Sequence, residues 1–119
     1  MLSPLQLAFV GDSVHALLVR TGLIRKNLLV RDMHAAANRA VSAVSQYHAA
    51  QALLPLLSEE EAAIVRRGRN AHPHHSAPNS ASVGEYAGAT GLEALLGYLF
   101  LTGQGERLAQ IMPYLQPED

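Results

Sequence analysis

Wound at 3.6 residues per turn, two segments of the chain show apolar residues on every side: LAFVGDSVHALLVR, from Leu7 to Arg20, and GATGLEALLGYLFL, from Gly88 to Leu101. That pattern predicts two helices buried all round rather than along one stripe. Each carries a single carboxylate, Asp12 in the first and Glu93 in the second. An unpaired charge in such a setting costs several kcal/mol. Arg20, at the far end of the first segment, is the only cation in either, so the partner must be a cation from elsewhere in the fold or a bound metal ion.

The polar positions punctuate the rest. Ser3-Pro4-Leu5-Gln6 reads as a helix start, with an N-cap Ser, a Pro at the first helical position and a Gln reaching back. Gly22 is its expected stop, and a polar connector to Arg31 leads to one long Ala-rich helix from about Asp32 to Leu54, kinked near Ser42 and ended by Pro55. Ser58-Glu59-Glu60-Glu61 is a second capping box, opening a short helix through Arg67 that fades at Gly68, Asn70 and Pro73. HPHHSAPNS, from His72 to Ser80, has no apolar anchor and reads as an exposed, mobile loop. Ser82 and Glu85 cap the second apolar helix, Gly103 closes it, and a last amphipathic helix runs from about Glu106 to Leu115. With no strand alternation and no internal repeat, the expected class is all-α, a helical bundle packed around the two acid-bearing helices.

Composition narrows the function classes. A length of 119 residues, 49% of them hydrophobic, fits a single domain spanning residues 1–119. The absence of Cys removes disulfides, thiolate zinc sites and Cys nucleophiles and fits a reducing compartment, with the cytoplasm as the expected location. No basic region leads into an apolar run at the N-terminus, and the apolar stretches are interrupted, which argues against secretion and membrane spanning. The net charge of -1 carries no general attraction for polyanions. Its distribution does: Arg66, Arg67 and Arg69 sit in a stretch from Ala62 to Gly84 without an acid, and eight of the nine basic residues are Arg, whose planar fork suits phosphate oxygens.

The two acidic segments resemble the signature segments of the ribonuclease III family: FVGDSV, Phe9 to Val14, and LEALLGYLF, Leu92 to Phe100. The blocks VSAVSQ (Val41 to Gln46) and EEEAAIVRRGRNA (Glu59 to Ala71) are similar to the small Mini-III branch, and the likeness covers roughly Leu5 to Leu108. The resemblance implies a homodimeric, all-α, magnesium-dependent endoribonuclease that hydrolyses double-stranded RNA, each subunit cutting one strand. For the Mini-III branch it implies maturation of the ends of the large-subunit (23S) ribosomal RNA precursor, without the separate double-stranded-RNA-binding domain of ordinary ribonuclease III. That module is expected to be absent here too. Ordinary members carry a Glu four residues before the signature Asp and an Asp three residues before the later Glu. These positions are Ala8 and Thr90, as the Mini-III branch also lacks those acids.

On this reading Asp12 and Glu93 are both the catalytic and the metal-binding residues, with Thr90, one turn before Glu93, holding a coordinated water. Magnesium suits so sparse a ligand set because it retains several waters. Arg66, Arg67 and Arg69, with Asn70, are the candidate RNA-binding residues, since duplex RNA presents phosphates and 2′-hydroxyls rather than base edges. The competing readings are structural: Asp12 and Glu93 paired with Arg20, Arg39 or helix N-termini, and the Arg cluster a solvated face. A catalytically inactive dimeric module that binds duplex RNA is the alternative function. His72, His74 and His75 lack a nearby carboxylate or rigid frame and read as solvent-exposed. His15 is expected to pack within the core. Ser42, Ser45 and Gln46 divide between contacts to ribose hydroxyls or metal-held water and bonds to the helix's own carbonyls. Gly88, Gly91 and Gly97 are expected to permit close helix packing.

Overall fold

A computed structural model describes residues 2–71 and 82–117, so the loop from His72 to Ser80, with its three His, lies outside the described residues. Among the described residues six α-helices follow one another: α1 (Pro4–Leu23), α2 (Val30–Ala40), α3 (Ala43–Leu53), α4 (Glu59–Ala71), α5 (Val83–Leu101) and α6 (Gly105–Ile111). Short 3-10 turns at Leu54–Leu56 and Met112–Leu115 follow α3 and α6. No strand occurs among the described residues, as the absence of alternation predicts.

The local signals operate as read. Ser3 caps α1, its hydroxyl accepting from Gln6 N–H at 3.2 Å while Gln6 accepts from Ser3 N–H at 2.9 Å. Ser82 and Glu85 form the same reciprocal pair at the start of α5, and Ser58 and Glu61 do so for α4. Gly103, at φ 73°, adopts the left-handed conformation that ends α5.

Four boundaries differ from expectation. The long Ala-rich helix is two helices, because Ser42 turns extended at φ -64° and ψ 152° and becomes the N-cap of α3. Gly22 does not stop α1, which continues to Leu23; it is small because the Gln116 side chain lies against it. Gly68 does not fray α4, which continues to Ala71, because that glycine is the contact point with α5. The final helix is also shorter than expected, with Pro113 leaving Met112–Leu115 as a 3-10 turn.

α5 is the axis around which the molecule is built. Its Leu92, Leu95, Leu96 and Leu99 are 0–1% exposed, and they pack with Leu7, Val19, Leu53, Ile64 and Ile111 from the surrounding elements. Three of its four glycines each admit a different neighbour: Gly88 the Tyr47 ring of α3, Gly91 the Val65 carbonyl of α4, and Gly97 the Leu7 carbonyl of α1. Gly11 on α1 answers Gly97, because a methyl there would fall 1.6 Å from the Glu93 carbonyl oxygen. The matched contacts of Gly11 with Glu93 and Gly97 with Leu7 show α1 and α5 running antiparallel, almost backbone to backbone.

The buried-all-round expectation holds for most of α5 and fails for α1. Phe9 is 82% exposed, Leu17 60% and Leu5 44%, all on one face at spacings of four and eight residues, with Ile24 beyond them at 73%. Apolar composition marks this face as needing cover without stating that the same chain supplies it.

Candidate active site

Asp12 owes its position to its neighbour. Gly11 lets α1 press onto α5 at the level of Glu93, so the next residue along α1 meets the acid that α5 carries at the same height. The Asp12 carboxyl is in hydrogen-bonding contact with that of Glu93. Both line a cleft of about 210 Å³ together with Gln46, Tyr86 and Thr90, and with Val41, Ala43 and Ala89 as its apolar wall. Asp12 lies exposed at the mouth, whereas Glu93 is half-buried and Thr90 is 8% exposed.

Burial, followed by the adjacent Asp12, pushes the Glu93 carboxyl up to about 8, while a hydrogen bond from Gln46 works weakly the other way. No Arg or Lys figures among the groups acting on Glu93. Pairing with Arg20 or Arg39, the structural explanation open to the sequence, is therefore not how this acid is accommodated. Two carboxyls in contact share a proton unless a cation takes its place. Thr90 donates its hydroxyl to the Tyr86 carbonyl at 3.1 Å, which aims its oxygen along the same wall as Glu93. Among the described residues the polar lining consists of carboxylates, hydroxyls and an amide, without imidazole or sulfur, and so matches a hard cation such as magnesium rather than zinc.

The break between α2 and α3 separates three residues that the sequence grouped together. Ser42 and Ser45 both donate to the Arg39 carbonyl, at 3.1 and 2.8 Å, and serve the turn. Gln46 is 4% exposed and lies in the cleft, with Nε2 donating to the Val41 carbonyl at 3.1 Å. Tyr86 was not signalled by the sequence, because nothing in its local pattern distinguishes a cleft-lining aromatic from a packing one.

His15 is 1% exposed, neither ring nitrogen has a hydrogen-bond partner among the described residues, and burial pulls its pKa down to about 4 against a smaller opposing effect of Asp12. It is a neutral core residue, as expected. Arg66, Arg67, Arg69 and Asn70 are all exposed on the last turns of α4. Those turns pack at the height of the acidic pair: Gly68 touches Gly91 and Ala94, and the Arg69 stem crosses Gly91, two residues from Glu93. The four are thus near the cleft in level but are not among its lining residues.

An all-α domain with a paired-acid cleft and an arginine-edged helix has the makings of a metal-assisted phosphodiesterase. Comparison with known proteins gives that class its family. Residues 5–104 match the family model described as the Ribonuclease III domain. The chain is 46% identical to the Mini-ribonuclease 3 of Symbiobacterium thermophilum over 93% of this chain and 85% of that protein. It is 48% identical to the Mini-ribonuclease 3 of Brevibacillus brevis over 92% of this chain and 82% of that protein. A crystal structure of a protein from Fusobacterium nucleatum superposes with a TM-score of 0.82 at 29% identity, covering 93% of this chain and 88% of the other. The chain belongs to the ribonuclease III family and is an endoribonuclease by that membership.

Proposed function

We propose that this chain is a Mini-III-type enzyme that hydrolyses double-stranded RNA with magnesium held by Asp12 and Glu93. The observation that carries the reading is the contact between those two carboxyls in an oxygen-lined cleft with no cationic side chain acting on Glu93. Bound there, a divalent ion would supply charge neutralisation at the scissile phosphate and an activated water. Asp12, at the mouth, faces incoming substrate. Glu93, deeper, has its carboxyl oriented by the Asp12 contact and the Gln46 amide, and Thr90 fixes the polar wall beside it. Arg66, Arg67, Arg69 and Asn70 bind RNA phosphates along the exposed end of α4.

The exposed apolar face of α1 supports a homodimer. Leu5, Phe9 and Leu17 would otherwise present apolar surface to water right beside Asp12. A second copy seated on that face would bring two clefts together, one for each strand of a duplex. No helix among the described residues is long and apolar enough to cross a membrane. The RNA substrate we propose is the 23S ribosomal RNA precursor, in the cytoplasm.

Incubation of the purified chain with duplex RNA, with magnesium and with chelator, tests the activity. Cuts that require magnesium are expected, whereas binding without cuts would leave the inactive duplex-RNA-binding module as the correct reading. Light scattering is expected to give twice the chain mass. Replacing Arg66, Arg67 and Arg69 together should lower the slope of log affinity against log salt by about 2, and an unchanged slope would remove them from the interface.

A further inference from the structure

Gln46, which lines the cleft, carries a side-chain oxygen that no described neighbour satisfies. The residue is 4% exposed, and the Oε1 is buried without a hydrogen-bond partner among the described residues. The amide cannot be turned to relieve this. Nε2 lies 3.1 Å from the Val41 carbonyl, an acceptor only, and the Gln46 amide also acts as a donor toward Glu93. Exchanging the two ends would set oxygen against oxygen at Val41. A buried acceptor with no donor costs free energy unless something enters to meet it. The side chain that bears it shares the cleft with Asp12, Glu93 and Thr90.

We infer that Gln46 is the third protein oxygen donor of the cation site, its Oε1 facing the ion held by Asp12 and Glu93. The inference rests on the cation reading proposed above and adds a ligand to it. An amide oxygen is a hard, neutral donor of the kind magnesium accepts, and it adds no further charge repulsion to a pair of acids already in contact. The same side chain would do two things: its Nε2 orients Glu93, and its oxygen completes the shell. The position is available because Ser42 breaks the helix ahead of it and thereby frees the Val41 carbonyl to anchor the amide.

The test is a manganese(II) titration of the 119-residue chain without RNA, read by the electron paramagnetic resonance signal of the free ion, with thermal melting of each metal-free variant alongside. Gln46→Leu is expected to weaken manganese binding about tenfold. Gln46→Glu, which supplies a charged oxygen at the same place, is expected to tighten it about tenfold. Opposite shifts are the signature of a ligand, since a residue that merely props the fold would weaken binding in both variants. Should Gln46→Leu fail to fold, Gln46→Glu decides alone: affinity equal to or below that of the unmodified chain overturns the inference. Asp12→Asn reports on the cation reading separately. If that variant binds manganese as well as the unmodified chain, or if neither binds it, the ion is not held here and both readings fall. If binding depends on Asp12 but ignores Gln46, only the ligand assignment falls.

Discussion

Gly11→Ala adds one methyl group and should disable the enzyme while leaving every acid in place. Built on the observed backbone, that methyl falls 1.6 Å from the Glu93 carbonyl oxygen and 2.5 Å from its carbon. An ordinary carbon-to-oxygen contact needs about 3.3–3.6 Å, so α1 must retreat from α5 by roughly 1.5–2 Å. The obstacle is helix backbone, which has no rotamer in which to yield. Overpacking of this kind costs typically 1–3 kcal/mol, and a backbone obstacle places this case near ~3 kcal/mol, a fall of about 10 °C in melting temperature for a domain of this size. Asp12 follows α1 outward, away from Glu93. Misplacement of about 1 Å costs roughly 100-fold in rate, so cleavage should fall at least that far. Gly84→Ala is the control, since its methyl would meet nothing closer than 3.9 Å. On the first turn of α5 it should hold or raise stability by about 0.5 kcal/mol. Melting followed by circular dichroism, with duplex-RNA cleavage on the same samples, decides the matter. A Gly11→Ala chain that melts within 2 °C (roughly the resolution of the comparison) of the parent and cleaves at its rate would refute the close-approach argument.

Three other outcomes follow from the charged and buried groups. Glu93 is raised in the folded chain, so in chelator its contribution to stability is complete below the unfolded value of 4.5 and is lost as pH rises through about 8. Melting temperature should therefore decline over that window in the parent and stay flatter in Glu93→Gln, and magnesium should restore it at high pH in the parent alone. His15 is depressed, so its contribution is complete above 6.5 and is lost as pH falls toward about 4. His15→Leu should remove that acid sensitivity and, by deleting two unpartnered nitrogens, raise stability by about 1 kcal/mol in a denaturant titration. Arg107 donates to Glu61 at 2.8 and 2.9 Å and to the Leu56 carbonyl at 2.9 Å, tying α6 to the start of α4. Arg107→Ala should cost about 1–2 kcal/mol, because Glu61 loses the guanidinium and keeps only its Ser58 contacts among the described residues. It should also weaken the loss of stability below pH 4.5, because that guanidinium is the main reason Glu61 lies below the usual carboxylate range.

The parts of this fold that are written locally were legible in the sequence. All three capping boxes and the left-handed Gly103 follow from residues a few positions apart, and the structure forms them where the sequence places them. The pair of acids was legible as a problem, because a lone carboxylate in an apolar helix requires a partner. That the partner is first the other acid depends on Gly11 meeting Glu93 across a separation of 82 positions, which no local pattern encodes. The split between α2 and α3 was visible only as a kink, since Ser can sit inside a helix or cap one and the choice belongs to the tertiary packing. The exposed face of α1 was misread for a simple physical reason. Hydropathy measures the need for burial, and Phe9 and Leu17 carry that need whether the cover comes from the same chain or from a second copy. Gln46 stands four residues after Ser42 and one after Ser45, on a helix whose start the sequence did not locate.

The central claim is that Asp12 and Glu93 form one cation-dependent cleavage site. Asp12→Asn tests it most directly, since the substitution keeps the side-chain shape at an exposed position and so should not disturb the fold. Assayed against duplex RNA in magnesium, this variant is predicted to melt near the parent temperature, to bind the duplex still, and to make no cuts. Cleavage at the parent rate by a folded Asp12→Asn chain would contradict the account.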